Sequence, residues 1–312
     1  MFENSALSWA YFSGIILGKR KVDILATKTT KVTTKKAPRK VASKVKVFMS
    51  AKSDIIFKLL FGNELNKNLL IRFLMAVLQL PLNEYTDIKI SDPQTKRRYK
   101  GDKLAILDVK VTTNTGKIIN IEIQLHVTPE MRERIVFYNA KIMTEQLGSG
   151  DDYDLIKKTI NIVITGETFI HEHEHYHDKF TLYSSQTSTE FTDIVEIHTL
   201  ELSKLPKESD GTELCDWLEF INADSEEALK VLAQKKPQMK DPVKKLLEIN
   251  QDADARALFE AREKQRRDSM ALQRRALKEN TIEIAKKLLE LETPIATIAQ
   301  ATGLTKKEIE SM

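Results

Sequence analysis

The sequence is poor in cysteine, with Cys215 as the single example among 312 residues. One cysteine excludes a disulfide framework and a zinc site built from several thiolates, and it fits a reducing compartment. Because Cys215 lies beside Trp217 and Leu218 in an apolar stretch, we interpret it as a core residue rather than a nucleophile.

A hydrophobic run long enough to span a bilayer is also missing. The run Ala6–Leu17 falls short of the roughly 20 apolar residues that a transmembrane helix needs. It is also a poor signal peptide, because Lys19, Arg20 and Lys21 follow the apolar stretch instead of preceding it. We therefore expect a cytoplasmic protein without a membrane anchor.

The net charge of +4 is unevenly distributed. Residues 1–48 contain 11 Lys/Arg against Glu3 and Asp23, a net charge of +9, so the remainder carries −5. The Lys/Thr/Val-rich stretch 18–48 has too little apolar content to order itself. Residues 1–49 are interpreted either as a disordered basic arm that binds phosphates or as sequence upstream of a true start at Met49.

Ordered structure is predicted to begin with two helices. The first starts at Ser53 and stops at Gly62, and the second covers 66–80 and is ended by Pro81. Alternating strands are expected at Leu104–Thr113 and Lys117–Val127, joined by a turn at residues 114–116. The later segments predict a helix from about Pro129 to Gly148, a central strand Thr159–Thr165, strands near Phe180–Tyr183 and Asp193–Leu200, and helices only from Asp210, with Val243–Asn280 as one long charged helical segment.

The hairpin carries the residues that point to chemistry. Side chains two apart share a face of a strand, so Asp108 and Lys110 interrupt one apolar pattern and Glu122 and Gln124 interrupt the next. Half-buried carboxylates on adjacent strands are costly unless they are paired or bind a metal, and two of them suit a hard cation such as Mg²⁺. Spacing alone leaves the alternative open that this is the polar outer face of an amphipathic strand.

The pattern D-x13-E-x-Q across this hairpin resembles the signature of PD-(D/E)XK nucleases, with glutamine in place of the usual lysine. More specifically, the chain resembles the bacterial Rpn family of recombination-promoting nucleases and transposases over roughly residues 50–312. The stretches that carry the resemblance are "SDIIFKLLFG" (53–62), "NKNLLIRFLMAVLQL" (66–80), "KLAILDVKVTTNTGKIINIEIQ" (103–124), "YNAKIMTEQLGSGDDYDLIKKTINIVIT" (138–165), "DIVEIHTLEL" (193–202) and the C-terminal "AKKLLELETPIATIAQATGLTKKEIE".

The resemblance implies a role for each polar residue of the hairpin. Asp108 and Glu122 would bind Mg²⁺ or Mn²⁺, and Gln124 would stand where the catalytic lysine usually lies. Lys110 is a candidate for the missing positive charge, and Asp54 either resembles the accessory acid of such nucleases or is simply a charge in the first turn of a helix. Arg132, Arg134 and Lys141 either contact phosphates or form a solvated helix face.

Two further motifs allow a functional and a structural interpretation. The tract His171–Asp178 ("HEHEHYHD") suits adventitious zinc or nickel binding, but a solvated loop is favoured. The stretch "IATIAQATGLTKKEI" resembles a helix-turn-helix with Gly303 at the turn and Thr305 as N-cap. Its second helix, from Lys306 to Met312, is short for the major groove, so a helical cap or interaction hairpin is favoured.

We therefore expect an α/β protein with a restriction-endonuclease-like mixed sheet flanked by helices at 50–205. A helical C-terminal region should follow at 206–312. The expected activity is metal-dependent endonucleolytic hydrolysis of DNA, linked to recombination or mobile elements. The alternatives are a non-catalytic DNA-binding recombination accessory protein of the same fold, or an interaction scaffold built on the long helix. Homo-oligomerisation is left open.

Overall fold

The computed structural model describes residues 47–91 and 108–312. The predicted basic arm and the start of the first hairpin strand lie outside these ranges. The described helices are α1 (Asp54–Phe61), α2 (Lys67–Leu78), α3 (Met131–Thr144), α4 (Glu213–Asn222), α5 (Glu226–Lys235), α6 (Lys240–Gln251), α7 (Ala253–Glu290), α8 (Ile295–Thr302) and α9 (Lys306–Glu310). The described strands are β1 (Lys89–Ser91), β2 (Val109–Thr112), β3 (Ile118–Gln124), β4 (Thr159–Thr165), β5 (His177–Tyr183) and β6 (Glu190–Glu201).

These strands form one mixed sheet in the order β1-β2-β3-β4-β6-β5. Strands β1, β2 and β3 pair antiparallel, β3-β4 and β4-β6 pair parallel, and β5 pairs antiparallel with β6. The β2–β3 turn contains Gly116, whose φ of +89° is a conformation that glycine adopts readily. The predicted hairpin is confirmed, although the described part of its first strand begins only at Val109.

Both faces of the sheet are covered, so its central strands are buried on both sides. One face presents the isoleucines of β3 and β4 to the main core, together with residues of α1, α2, α4, α5 and α6. The aromatic rings of Phe57, Phe61, Phe73 and Trp217 lie in successive contacts of 4.7–5.9 Å within this core. Helix α3 covers the opposite face, where Met131 and Ile135 pack with Val163.

The α/β class with a mixed sheet and a helical C-terminal region is confirmed, and several details differ from the sequence prediction. The segment 243–280 is not one helix, because α6 ends before Asp252 and the Asp252 side chain caps α7 by accepting a 2.7 Å hydrogen bond from the Ala255 amide. Strand β1 was not predicted. Helix α2 ends at Leu78, with Gln79 in the left-handed conformation, before Pro81 is reached.

The folded unit starts before residue 50. Met49 is fully buried, and its amide donates a 2.8 Å hydrogen bond to Oδ1 of Asn250. At the other end, α8 and α9 pack on the last turns of α7 through Ile298, Ile309 and Ala285. Thr305 and Glu308 form a capping box at the start of α9. None of the helices within the described ranges is long and apolar enough to cross a membrane.

Candidate active site

The site lies where the polar face of β3 meets α3. On β3 the residues Asn120, Glu122 and Gln124 alternate with the core isoleucines, so all three lie on the face covered by α3. Asn120 and Glu122 are buried, with 1% and 8% of their surfaces exposed. The outer polar face that the spacing left open is therefore an enclosed polar layer.

Asp108 comes directly before β2 and points across to β3. Its Oδ2 accepts a 2.9 Å hydrogen bond from the backbone amide of Ile123. Burial raises the pKa of this carboxyl group to about 6, against the lowering effects of the Ile123 hydrogen bond and of Lys58. Its partner carboxylate on β3, Glu122, lies next to Ile123 in the chain.

The pKa of Glu122 is raised by a larger amount than that of Asp108. Burial raises its pKa to about 7, although the hydrogen bond from Nδ2 of Asn120 to its Oε1, at 2.9 Å, acts in the opposite direction. The negative charge of Asp108, which is hydrogen-bonded to the amide of the next residue, Ile123, raises the pKa of Glu122 further. Neither forms an ion pair with a described residue. The nearby charges of Lys58, Arg262 and Arg134 offset only part of the cost of burying this pair, so the two carboxylates suit a bound cation or a proton.

Several buried polar atoms of β3, β4 and α3 have no hydrogen-bond partner within the described part of the chain. They are Oδ1 of Asn120, Nδ2 of Asn161, Nε of Arg134 and both amide atoms of Asn139. Asn120 and Asn161 are linked across β3 and β4 by a 3.0 Å hydrogen bond. Orphaned polar atoms are rare in buried positions and indicate a site that a bound ion, water or ligand completes. The donor set therefore fits a hard divalent cation at Asp108 and Glu122.

The position of the expected catalytic lysine is held by two residues. Gln124, at the end of β3, accepts a 3.0 Å hydrogen bond from Nη2 of Arg134 on α3. The positive charge of Arg134 also lowers the pKa of Glu122. Tyr138, one turn further on, has its pKa raised by burial and by the charges of Glu122 and Asp108. The sequence placed Arg134 among the basic residues of this helix but could not show that it turns toward β3.

Two other predicted site residues have partners of their own. Nζ of Lys110 donates a 3.3 Å hydrogen bond to Oε2 of Glu145 just beyond α3. Asp54 forms an ion pair with Arg262 of α7. Its Oδ2 accepts hydrogen bonds from both Nε, at 2.8 Å, and Nη2, at 2.5 Å. Asp54 also raises the pKa of Asp108, so α1 and α7 meet at the edge of the site.

The remaining basic and histidine-rich candidates lie elsewhere. Lys141 is buried, which corrects its placement on a solvated helix face. Arg132 is exposed and pairs with Glu172 at 3.4 Å. The predicted loop 171–178 runs only to Tyr176, because His177 and Asp178 begin β5. No cluster of three or more histidine, cysteine or acidic residues suited to a metal occurs in the described ranges.

Comparison with known families agrees with this architecture. The family model described as "PD-(D/E)XK nuclease family transposase" matches residues 51–276, well over half of the chain. This match confirms the family resemblance seen in the sequence, and the mixed sheet with its flanking helices is consistent with a restriction-endonuclease-like fold. No curated protein and no solved structure matches the chain.

Proposed function

Since the chain belongs to the PD-(D/E)XK nuclease family transposases, we propose that it is a metal-dependent endonuclease that hydrolyses DNA phosphodiester bonds. The observation that carries the proposal is the pair of carboxylates Asp108, directly before β2, and Glu122, on β3, whose pKa values burial raises although Lys58 and Arg262 act on Asp108 and Arg134 acts on Glu122. Such a pair is costly in a folded protein that does not use it.

Asp108 and Glu122 would hold the metal, Mg²⁺ or Mn²⁺. When bound, such an ion lowers the pKa of a coordinated water and neutralises charge on the phosphate. The Ile123 amide fixes the Asp108 carboxylate, and the Asn120 amide fixes that of Glu122, so both ligands are oriented before the metal arrives. Asn161 holds Asn120 in turn.

Arg134 is proposed to supply the positive charge that lysine supplies in the classical motif. Its guanidinium is held by Gln124, and its buried Nε–H has no partner in the described part of the chain. A guanidinium near Glu122, with a donor that is unpaired within the described ranges, suits a phosphate oxygen that gains charge during hydrolysis. Gln124 would then be a positioning residue for Arg134.

Asp54 and Lys110 are proposed to have smaller roles. Asp54 acts on the charge of Asp108 from the side of α1, while Arg262 fixes its carboxylate. Lys110 lies on β2 opposite Asn120, and its bond to Glu145 ties β2 to the end of α3. We propose recombination or mobile-element activity in the cytoplasm as the biological setting, in line with the transposase description of the family.

The direct test is nicking of supercoiled plasmid by the purified protein, with Mg²⁺ or Mn²⁺ against EDTA. We expect metal-dependent nicking that falls by at least about 10²-fold in Asp108→Ala and in Glu122→Ala. Asp152→Ala and Glu174→Ala remove exposed loop carboxylates and serve as controls with unchanged activity. Absence of nicking by a folded, DNA-binding wild-type protein would support the non-catalytic accessory function instead.

A further inference from the structure

Helix α7 contains a long stretch that packs against nothing in the described part of the chain. Its first turns are held by the core through Ala255 and Phe259, and its last turns carry the α8–α9 cap through Ala285. Every residue between these anchors, from 266 to 280, is exposed. A solvent-bridging helix of this kind presents its whole circumference to a partner.

This exposed stretch is strongly basic although the surrounding chain is acidic. Residues 264–278 contain six Lys/Arg against Asp268 alone, a net charge of +5, whereas residues 49–312 as a whole carry −5. Residues 264–278 are therefore a basic segment within a chain that is acidic from residue 49 onward. Such a segment attracts polyanions over a distance of about a Debye length.

The six basic residues of the segment 264–278 fall into two groups. Arg266 pairs with Glu263 at 3.0 Å, and Arg275 pairs with Glu279 at 2.9 Å. The second group forms no ion pair with a described residue and consists of Lys264, Arg267, Arg274 and Lys278. Arg267 donates to the backbone oxygen of Glu263, and Lys278 lowers the pKa of Glu308, but none of the four forms an ion pair within the described ranges, which leaves their charges available to an external anion.

The four residues of the second group share one face, which we call the basic stripe (Lys264, Arg267, Arg274, Lys278). Their spacing of 3, 7 and 4 residues aligns them along the helix, and the small residue Ala271 occupies the gap in the middle. At 1.5 Å per residue the stripe is about 21 Å long, comparable to about six base pairs of DNA. Arginine and lysine side chains in such a row suit phosphate groups.

We propose that the basic stripe binds the phosphate backbone of duplex DNA that flanks the position of cleavage. This inference rests on the proposed function, because it takes DNA as the substrate. Arg262, which holds Asp54 at the site, precedes Lys264 by two residues and so lies about 200° around the helix from it. The stripe therefore does not reach the reacting phosphate, and it contributes affinity rather than chemistry.

The test compares two full-length quadruple variants in an Asp108→Ala background with EDTA, so that binding is measured without cleavage. One variant removes the stripe (K264Q, R267Q, R274Q and K278Q). The matched control removes four exposed lysines from other elements (K207Q, K235Q, K240Q and K244Q), with the same change of net charge. Binding to a 40-base-pair duplex is measured across a salt series, and circular dichroism checks that α7 stays folded.

We expect the stripe variant to bind roughly 10- to 100-fold more weakly at low salt and to lower the slope of log K against log salt by about 3. The control variant should change the slope by less than about 1. Equal changes of affinity and salt slope in both variants would contradict the stripe proposal and show that only the overall charge of the protein attracts DNA. A stripe variant that changes self-association but not DNA binding would identify a protein interface instead.

The same experiment separates this inference from the proposed function. If the Asp108→Ala protein binds DNA but is indifferent to the loss of the stripe, the stripe proposal is wrong while the nuclease proposal stands. If the Asp108→Ala protein binds no DNA at all, both the nuclease proposal and the stripe proposal are contradicted. Nicking by the stripe variant in the wild-type Asp108 background should show a raised KM with kcat nearly unchanged.

Discussion

The Nη2 atom of Arg134 lies 3.0 Å from Oε1 of Gln124, the strand residue at the position where the classical motif has lysine. The two residues are ten apart in the chain and meet because α3 folds back over β3. The arrangement puts a cation that is charged at all relevant pH values next to Glu122.

Replacing Arg134 should impair hydrolysis without preventing DNA binding. We expect Arg134→Ala to lower kcat for plasmid nicking by about 10²- to 10³-fold, because a preorganised donor to the developing negative charge is lost. Arg132→Ala, which removes an exposed arginine from the same helix, should change kcat by less than about threefold. Similar losses in both variants would show that the overall charge of α3 matters and not the position of Arg134.

A second substitution tests whether Gln124 and Arg134 share the function of one lysine. Adding Gln124→Lys to Arg134→Ala should restore part of the nicking activity, because it puts a cation at the classical position. In the wild-type background, Gln124→Lys places a second cation beside Arg134 and should lower activity. If the double variant nicks plasmid no faster than Arg134→Ala, Gln124 and Arg134 do not share the function of one lysine.

The enclosed carboxylates should cost stability in the absence of metal. In EDTA at pH 8, Glu122→Gln should raise the free energy of unfolding by about 1–2 kcal/mol, because it removes one of two neighbouring buried charges. The new amide can keep the hydrogen bond from Asn120 and donate to the orphaned Oδ1 of Asn120. Denaturant unfolding measures the effect, with the exposed residue change Glu174→Gln as the control.

Bound metal should remove the stability advantage of Glu122→Gln over the wild-type protein. Millimolar Mn²⁺ should raise the Tm of the wild-type protein by several degrees and leave the Tm of Glu122→Gln nearly unchanged, because binding to the native state stabilises it. An equal rise in both proteins would place metal binding outside the Asp108–Glu122 pair, whatever the nicking assay reports.

The Asp54–Arg262 ion pair allows catalysis to be separated from the anchoring of α7. Both side chains are partly exposed, so either single alanine variant should lower the free energy of unfolding by only about 1 kcal/mol. We expect Asp54→Ala to reduce nicking about tenfold and Arg262→Ala less than threefold, because both residues act on the pKa of Asp108 and the effect of Asp54 is the larger one. If both single variants lose the same nicking activity and the double variant loses no more, Asp54 acts only by holding α7 in place.

The stability of the fold should depend on the protonation of His177. Burial and the neighbouring His198 lower the pKa of His177 to about 4, while Asp178 raises it and Lys179 lowers it further. A histidine whose pKa is lower in the folded state stabilises the protein above its unfolded pKa of about 6.5, and this contribution is lost as the pH falls toward 4. The loss approaches about 2 kcal/mol, less where water reaches the ring.

The matched measurement uses His177→Gln and His175→Gln in chemical denaturation at pH 7.0, 5.5 and 4.5. The His177 variant should show a flatter dependence on pH than the wild type, and the variant of the exposed residue His175 should follow the wild type. His177 bonds to His198 at 2.8 Å, and His198 bonds to Glu196, whose pKa is lowered by this bond and by bonds to Lys158 and Lys179. An unchanged slope in His177→Gln would assign the pH dependence to other groups.

Local pattern was sufficient for most of the elements. Alternation predicted the hairpin with β3, apolar content predicted β4 as a central strand, and the break in the alternation singled out Asp108, Glu122 and Gln124. Their roles came from the family resemblance and stay a prediction. Spacing could not separate an inner polar face from an outer one. It also gave no sign of the break at Asp252, where a single capping carboxylate ends one helical pattern and starts another.

The sequence by itself therefore determined which residue types lie on which strand face, since that depends on a two-residue repeat along one strand. The tertiary structure alone decided which distant residues meet them. The parallel register of β3 and β4 brings Asn161 to Asn120, the return of α3 brings Arg134 to Gln124, and α7 brings Arg262 to Asp54 across 208 residues. These contacts depend on packing between elements, which no local periodicity encodes.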